Sequence, residues 1–333
     1  MKILVIRFSS LGDILLTTPV LRCLKLQRPD FSIHFVTKQE WAPLLDRNPY
    51  VDRVHVLFRD FPSLVQQLKA ERFDGILDLH GSLRSRRLCF VLGKKVWRFD
   101  KQNVLKALMV HFKIKRSVRH VVWRYMDACQ QWGVCYDGQG LDFPISEDEN
   151  NFTKGLLPEA FRPGFIAVTV GARHFTKTMP PEKLSVLLNT INRPVALLGG
   201  RAEAEVASGL LKKLRCPAVH LAGRLSLGMS AAILQQAAGV LAHDTGLMHM
   251  AAALRKPMVV LWGSTTPALG MYPLYPEGLQ HLVGYSEVPG LPCRPCHKIG
   301  RSRCPRGHFA CMQRQDPEAI RQLLEEKIRL SAP

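Results

Sequence analysis

Several things are missing from this sequence, and each absence removes a class of protein. No apolar run approaches the roughly 18 to 20 residues that a membrane span needs. The apolar N-terminal stretch is interrupted by Arg7 and Asp13, and no small-residue cleavage site follows it. It therefore reads as a buried strand and helix of a cytoplasmic protein. The phosphate-binding pattern GxxxxGK[ST] is absent, and GxGxxG follows none of the apolar runs, which weighs against a Walker-type nucleotidase and against a nicotinamide dehydrogenase. Cysteines are present but not as a disulfide framework, since five of the nine are scattered singly along the first two-thirds of the chain. Acidic residues are scarce, with 27 Asp+Glu against 46 Lys+Arg and a formal net charge of +19. Such a surface attracts anionic partners: nucleic acid, phosphorylated substrates or an anionic membrane face. Charge alone does not choose among them, because counterion release is blind to which phosphates are neutralised.

What is present is a repeated architecture. A chain of 333 residues with 47% hydrophobic content exceeds one core, so two domains are expected. Residues 2–7 form a short β-branched run, followed by a turn at 8–12 and a helical spacing of apolar residues over 13–26. Strand candidates at 32–37, 53–57 and 75–79 alternate with helical segments near 42–46, 62–71 and 83–92, and 120–132 reads as a further helix. Residues 146–163 turn acidic and then Pro/Gly-punctuated, as an exposed interdomain connection would. A second series follows, with strands at 165–170, 194–198, 218–221, 239–242 and 258–261 and helices at 181–190, 203–214, 226–237 and 245–254. The expectation is α/β, two doubly wound parallel-sheet domains over 1–155 and 156–333, with a terminal helix at 316–330 packing back on the first.

In such sheets ligands gather beyond the carboxyl ends of the strands, where helix N-termini present free N–H groups. Four loops fit. The first follows residue 243, where Asp244, Thr245 and Gly246 open a helix that carries His249 one turn on. A phosphate or ribose suits this turn, and simple helix capping suits it equally. The second, GARHFTKTMP, places Thr176 and Lys177 beside exposed backbone donors, a good arrangement for a diphosphate leaving group, although loop lysines are commonly just solvated. The third is the opening loop RFSSLGD, with Arg7, Ser10 and Asp13. Asp13 is a candidate general base for an acceptor hydroxyl, or an N-terminal capping residue. The fourth, DLHGSLRSRR, carries Arg84, Arg86 and Arg87, which suit phosphates or carboxylates or form a solvated helix face. Basic residues interleaved with aromatics over 94–124 suit an anionic membrane interface or an amphiphilic acceptor, and equally a helix with buried aromatics.

Cys293, Cys296, Cys304 and Cys311 crowd into nineteen residues with His297 and His308 among them. A structural zinc tetrahedron, reduced thiols and a redox-dependent disulfide are all consistent with this spacing, which departs from the paired CxxC…CxxC pattern; an open catalytic zinc site is not.

Together, IRFSSLGDILLTTPVL, DLHGSLRSR, GARHFTKTMP, LLGGRAEAE, HDTGLMHMAAAL and the cysteine-rich tail resemble the ADP-heptose:lipopolysaccharide heptosyltransferases of glycosyltransferase family 9. The resemblance runs over nearly the whole chain. It implies a GT-B fold, two Rossmann-like domains facing a cleft, and inverting transfer of a heptose that requires no cofactor beyond the ADP-sugar substrate. By motif position Asp13 looks like the general base and Lys177 like the diphosphate lysine. Glu203 looks like the ribose reader, and Thr176, Leu225, Asp244, Thr245, Gly246 and His249 like further donor contacts. Arg7, Ser10, Arg84, Arg86 and Arg87 would face the acceptor, a phosphorylated lipopolysaccharide core or lipid A precursor. The implied setting is cytoplasmic, peripheral on the inner face of the membrane, with no nucleic acid partner. The rival readings are another nucleotide-sugar as donor, or a basic nucleic-acid-binding protein with a zinc-bound tail.

Overall fold

The computed structural model describes residues 1–57 and 60–331. Phe58, Arg59, Ala332 and Pro333, the last two within the expected span of the second domain, lie outside the described residues. The chain divides into two compact units, 1–102 with 119–144, and 103–118 with 145–333. The first unit thus ends about ten residues before the expected boundary, and the segment 103–118 belongs with the second. Its buried Met109 and Val118 pack on Leu269, and the Val118 N–H donates to the Ala268 carbonyl.

The first unit is built on five parallel strands, β1 (Lys2–Ile6), β2 (Ser32–Lys38), β3 (Arg53–Leu57), β4 (Gly75–Asp78) and β5 (Lys95–Arg98), in the order β3-β2-β1-β4-β5. The register pairs Val5 with Phe35 on one side and Leu77 on the other. β1 and β4 are buried along nearly their whole length, as strands covered by helices on both faces must be. β5 was not anticipated. Its KVWR is too short and too polar for an apolar run, as befits a protected edge strand. Trp97 in it covers Gly75, where an added Cβ would come within 2.3 Å of the indole.

The second unit carries six parallel strands, β6 (Ile166–Thr169), β7 (Val195–Leu198), β8 (Ala218–His220), β9 (Gly239–His243), β10 (Met258–Leu261) and β11 (Val283–Ser286), in the order β11-β10-β9-β6-β7-β8. The acidic stretch expected to be a bare connection contains a helix, Glu147–Lys154, opened by a reciprocal Ser146–Glu149 capping box. The terminal helix Pro317–Leu330 packs within the second unit. Its Ile320 and Leu324 join the core of the second, while Leu323 and Ile328 lie over Gly284 and Gly239. The glycines there leave the gap its apolar face fills. Among the described residues no helix is long and apolar enough to cross a membrane.

Candidate active site

Both sheets reverse strand order at one point, between β1 and β4 in the first unit and between β6 and β9 in the second. Loops leaving neighbouring strands in opposite directions open a crevice there. Each crevice holds a close cation–carboxylate pair.

In the first unit the chain leaves β1 through Arg7 and enters the helix Leu11–Leu15. Asp13, in the first turn of that helix, accepts from the Ser10 N–H at 3.1 Å and from the Ser10 hydroxyl at 2.9 Å. Its other oxygen lies 2.5 Å from the Arg7 guanidinium. Burial works to raise the Asp13 pKa, but Arg7 and the Ser10 donors outweigh it and hold the carboxyl below its ordinary range. Asp13 therefore stays ionised at neutral pH. Arg7 was expected to face a substrate, and its geometry says otherwise. The guanidinium is enclosed and donates to the Leu79 carbonyl, the Tyr125 hydroxyl and the Ser9 carbonyl as well as meeting Asp13. It orients the aspartate and joins the two loops at the switch point.

The loop after β4 is fixed by the buried Asp78, which accepts from the His80 and Gly81 N–H groups and from the Ser85 hydroxyl. Gly81 takes φ +59°, and a side chain there would also meet Lys101. This turn launches the helix Leu83–Leu92. Arg84 and Arg87 line an open cavity of about 1460 Å3 together with Lys38, Glu40, Asp60 and Phe61. Arg87 lies over the Phe61 ring at 5.1 Å. Arg86 is exposed on the same helix but is not part of that lining. Leu83 and Phe90, each 86% exposed, leave apolar surface beside the arginines.

In the second unit the expected donor residues gather at the carboxyl ends of four adjacent strands. After β9, Asp244 leads to Thr245, whose hydroxyl caps the helix Gly246–Ala253 by accepting from the Met248 N–H. His249 is buried one turn on. After β6, Lys177 reaches across the switch point to within 2.6 Å of the Asp244 carboxylate, which also accepts from the Thr265 hydroxyl at 2.8 Å. After β7, Glu203 accepts from the Gly200 N–H and lies against Gly171 and Gly199, where any side chain would collide with it. Leu225 follows β8, half-buried, just before the helix Leu227–Gln236.

Thr176 departs from the expected donor contact. It is 1% exposed, and its hydroxyl is engaged inside the protein by Ser264 and by the backbone of Arg301. His243, which the sequence did not single out, ends β9 with one ring nitrogen on the Thr169 carbonyl and the other accepting from the Met179 N–H at 2.9 Å. Burial holds its pKa down to about 4, so the ring is neutral and fixes the main chain that follows Lys177. Only its place at a strand end, next to Asp244, could have flagged it.

The tail cysteines come near one another without forming a ready metal site. Burial raises the Cys296 thiol, with Cys293 adding to the effect, and Cys293 Sγ lies 4.0 Å from His308 Nε2. Among the described residues, the one group of three potential ligands within 4.8 Å of one another is His34, His55 and Glu71. So the thiols as placed do not fit a zinc tetrahedron. The His34 group is engaged in other ways: the two rings bond each other at 2.9 Å, while Glu71 meets Lys2 and Arg53.

Three comparisons bear on this arrangement. The family model described as glycosyltransferase family 9 (heptosyltransferase) matches residues 61–298. A lipopolysaccharide heptosyltransferase 1 of Pseudomonas aeruginosa is 30% identical over 322 residues, 90% of this chain and 86% of that protein. Among solved structures, E. coli ADP-heptose lps heptosyltransferase II superposes with a TM-score of 0.75 at 20% identity, covering 99% of each chain. E. coli heptosyltransferase WaaC with ADP gives 0.68 at 21% identity over 98% of this chain and all of that one. The two doubly wound units are those of the GT-B fold.

Proposed function

This chain belongs to glycosyltransferase family 9, the heptosyltransferases, and from that premise we propose that it moves a heptose from ADP-heptose to a phosphorylated lipopolysaccharide inner core or lipid A precursor by one inverting displacement. The observation that carries the proposal is the Lys177–Asp244 pair at the switch point between β6 and β9, beside a helix N-terminus. Charge accumulates on the diphosphate as the glycosidic bond breaks. An ammonium held by a carboxylate, next to the N–H groups of Gly246 and its neighbours, stabilises that charge without reorganising during the reaction. No metal is needed for this role.

Asp13 takes the proton of the attacking hydroxyl. Its ionised state and its restraint by Arg7 and Ser10 suit a base that must be ready and oriented. Glu203 and Leu225 read the ribose and base of the donor, with Thr245, Gly246 and His249 completing the nucleotide contacts. Arg84 and Arg87 bind acceptor phosphates in the basic cavity, while exposed Leu83 and Phe90 meet the acceptor's lipid or the face of an anionic membrane.

The test is incubation with ADP-heptose and a panel of truncated core acceptors, following ADP release. Release that depends on a phosphorylated inner-core acceptor is expected. Tight ADP binding with no release on any acceptor would leave a nucleotide-binding protein and end the transferase reading.

A further inference from the structure

The cysteine-bearing segment, which the proposed reaction does not use, is bonded to the turn that carries Lys177. The Thr176 hydroxyl accepts from the Arg301 N–H at 2.8 Å and from the Ser264 hydroxyl at 2.8 Å, and donates to the Arg301 carbonyl at 3.1 Å. The Thr176 N–H goes to the same carbonyl, and the Thr176 carbonyl accepts from the Ser264 N–H at 3.0 Å. Ser264 is tied in turn by the Cys296 N–H on its carbonyl. Next to it, the Arg294 guanidinium holds the Thr265 carbonyl at 2.7 Å, and the Thr265 hydroxyl holds Asp244. The packing leaves no slack. An added Cβ at Gly263 would stand 2.4 Å from the Thr176 carbonyl oxygen, and one at Gly300 would stand 2.7 Å from the His174 side chain.

We propose that Thr176 is a positioning residue for Lys177, and that the segment from Arg294 to Arg301 is the brace through which it acts. This rests on the donor-site reading of Lys177. A lysine on a one-turn 3-10 helix, Phe175–Lys177, has little local structure to fix it. Holding an ammonium to within about 0.5 Å of its productive position beside a developing charge requires support from its surroundings. The hydroxyl of Thr176, with every lone pair and its proton in use, joins the turn to the brace on one side while Arg294 and Thr265 steady Asp244 on the other. Lys177 and its carboxylate partner are thus held by the same segment.

The experiment uses the full chain with Thr176→Val, which keeps the shape and removes the hydroxyl, and Thr176→Ser, which keeps the hydroxyl. Two readouts are taken: kcat and donor KM for ADP release, and the rate at which Lys177 is acylated by an N-hydroxysuccinimide ester, followed by peptide mass spectrometry. Valine is expected to lower kcat by about 10- to 100-fold with a smaller change in KM, and serine to restore it. Added to Lys177→Ala, valine should cost nothing more, because both changes act through the ammonium. Lys177 should label several-fold faster in the valine variant, with Lys256, a half-buried lysine elsewhere in the same unit, unchanged. Wild-type kcat and labelling in the valine variant, or a fully additive loss in the double variant, would overturn the proposal. A wild-type chain that releases no ADP would sink the transferase reading alone, and the labelling ratio would still decide whether the brace holds the lysine. Should the valine variant not fold, Ser264→Ala removes one donor to the same oxygen and is read the same way.

Discussion

Replacing Asp13 with asparagine separates what the carboxylate does for catalysis from what it does for the fold. The amide keeps the volume and still accepts from Ser10, but removes the charge that Arg7 faces. Breaking a buried ion pair on one side costs roughly 3–5 kcal/mol when nothing else holds the orphaned charge. Arg7 retains the Leu79 and Ser9 carbonyls and the Tyr125 hydroxyl, and the Asp13 side chain is 23% exposed, so a loss of about 1–2 kcal/mol is expected. The pH dependence has a definite sign. Asp13 has its folded pKa below the ordinary 3.8, so its contribution is present above 3.8 and disappears as pH falls through the folded value. Urea unfolding should therefore show the variant weaker at pH 7, with the gap closing in strong acid. Turnover should fall by about 10²–10⁴-fold while ADP affinity, which the proposed donor site assigns to the second unit, changes little. A variant that keeps turnover within a few-fold of wild type would refute the base assignment, and equal losses of turnover and ADP binding would show that the effect is a general one on the fold.

Lys177→Ala should lower kcat by about 10²–10³-fold, as removal of one transition-state donor does elsewhere; single-turnover measurement of ADP release checks it, and a change confined to KM would contradict the leaving-group role. Arg84→Ala with Arg87→Ala should raise the acceptor KM and flatten its salt dependence while leaving ADP affinity alone, whereas the exposed Arg86→Ala should do less; steady-state kinetics at two ionic strengths separate them. His55, His80 and His243 are held down to about 4 from 6.5 by burial. Being neutral in the fold, they favour it fully above 6.5, and stability should drain away as pH falls from 6.5 toward 4. A urea midpoint unchanged between pH 7 and pH 5 would mean that these rings are not buried as neutral groups.

Most of the strand–helix alternation was legible because buried parallel strands are continuous β-branched runs, such as residues 3–6 and 258–261. What escaped was structure whose signal is not apolar. The edge strands Lys95–Arg98 and Val283–Ser286 bury too little to stand out. The helix Glu147–Lys154 did carry its signature, Ser146 three residues before Glu149, but acidic composition reads as a linker when no apolar stripe accompanies it. At the candidate site, residue types at strand ends pointed to loops that lie at the two switch points. They did not tell which side chain in a loop faces outward, since Arg7 and Thr176 are as polar as their neighbours and are held inward by long-range contacts that local sequence does not show, to Leu79 and Tyr125 in one case and to Ser264 and Arg301 in the other. Segment 103–118 joins the second unit for the same reason, through distant Ala268 and Leu269.

The two switch points, built on one plan, differ in which charge they offer. In the first unit Arg7 is the more enclosed partner, its side chain 10% exposed against 23% for Asp13. In the second the order reverses, with Asp244 at 10% and Lys177 at 15%. The deeper member of each pair is pinned by further hydrogen bonds, Arg7 by Leu79, Ser9 and Tyr125 and Asp244 by Thr265. An enclosed ion with several fixed partners cannot turn toward a substrate without losing them, and in a low-dielectric surrounding that loss is large. The outer ion takes its orientation from the inner one while keeping more of its own surface exposed. One unit thereby presents an anion and the other a cation, the two charges that the proposed displacement would use at its nucleophile and at its leaving group. Exchanging a pair, as in Lys177→Asp with Asp244→Lys, would keep the local charge sum but place the cation at the buried, Thr265-held position; turnover should be lost in that double variant even where folding is retained, and recovery of activity would show that net charge rather than placement is what the site requires.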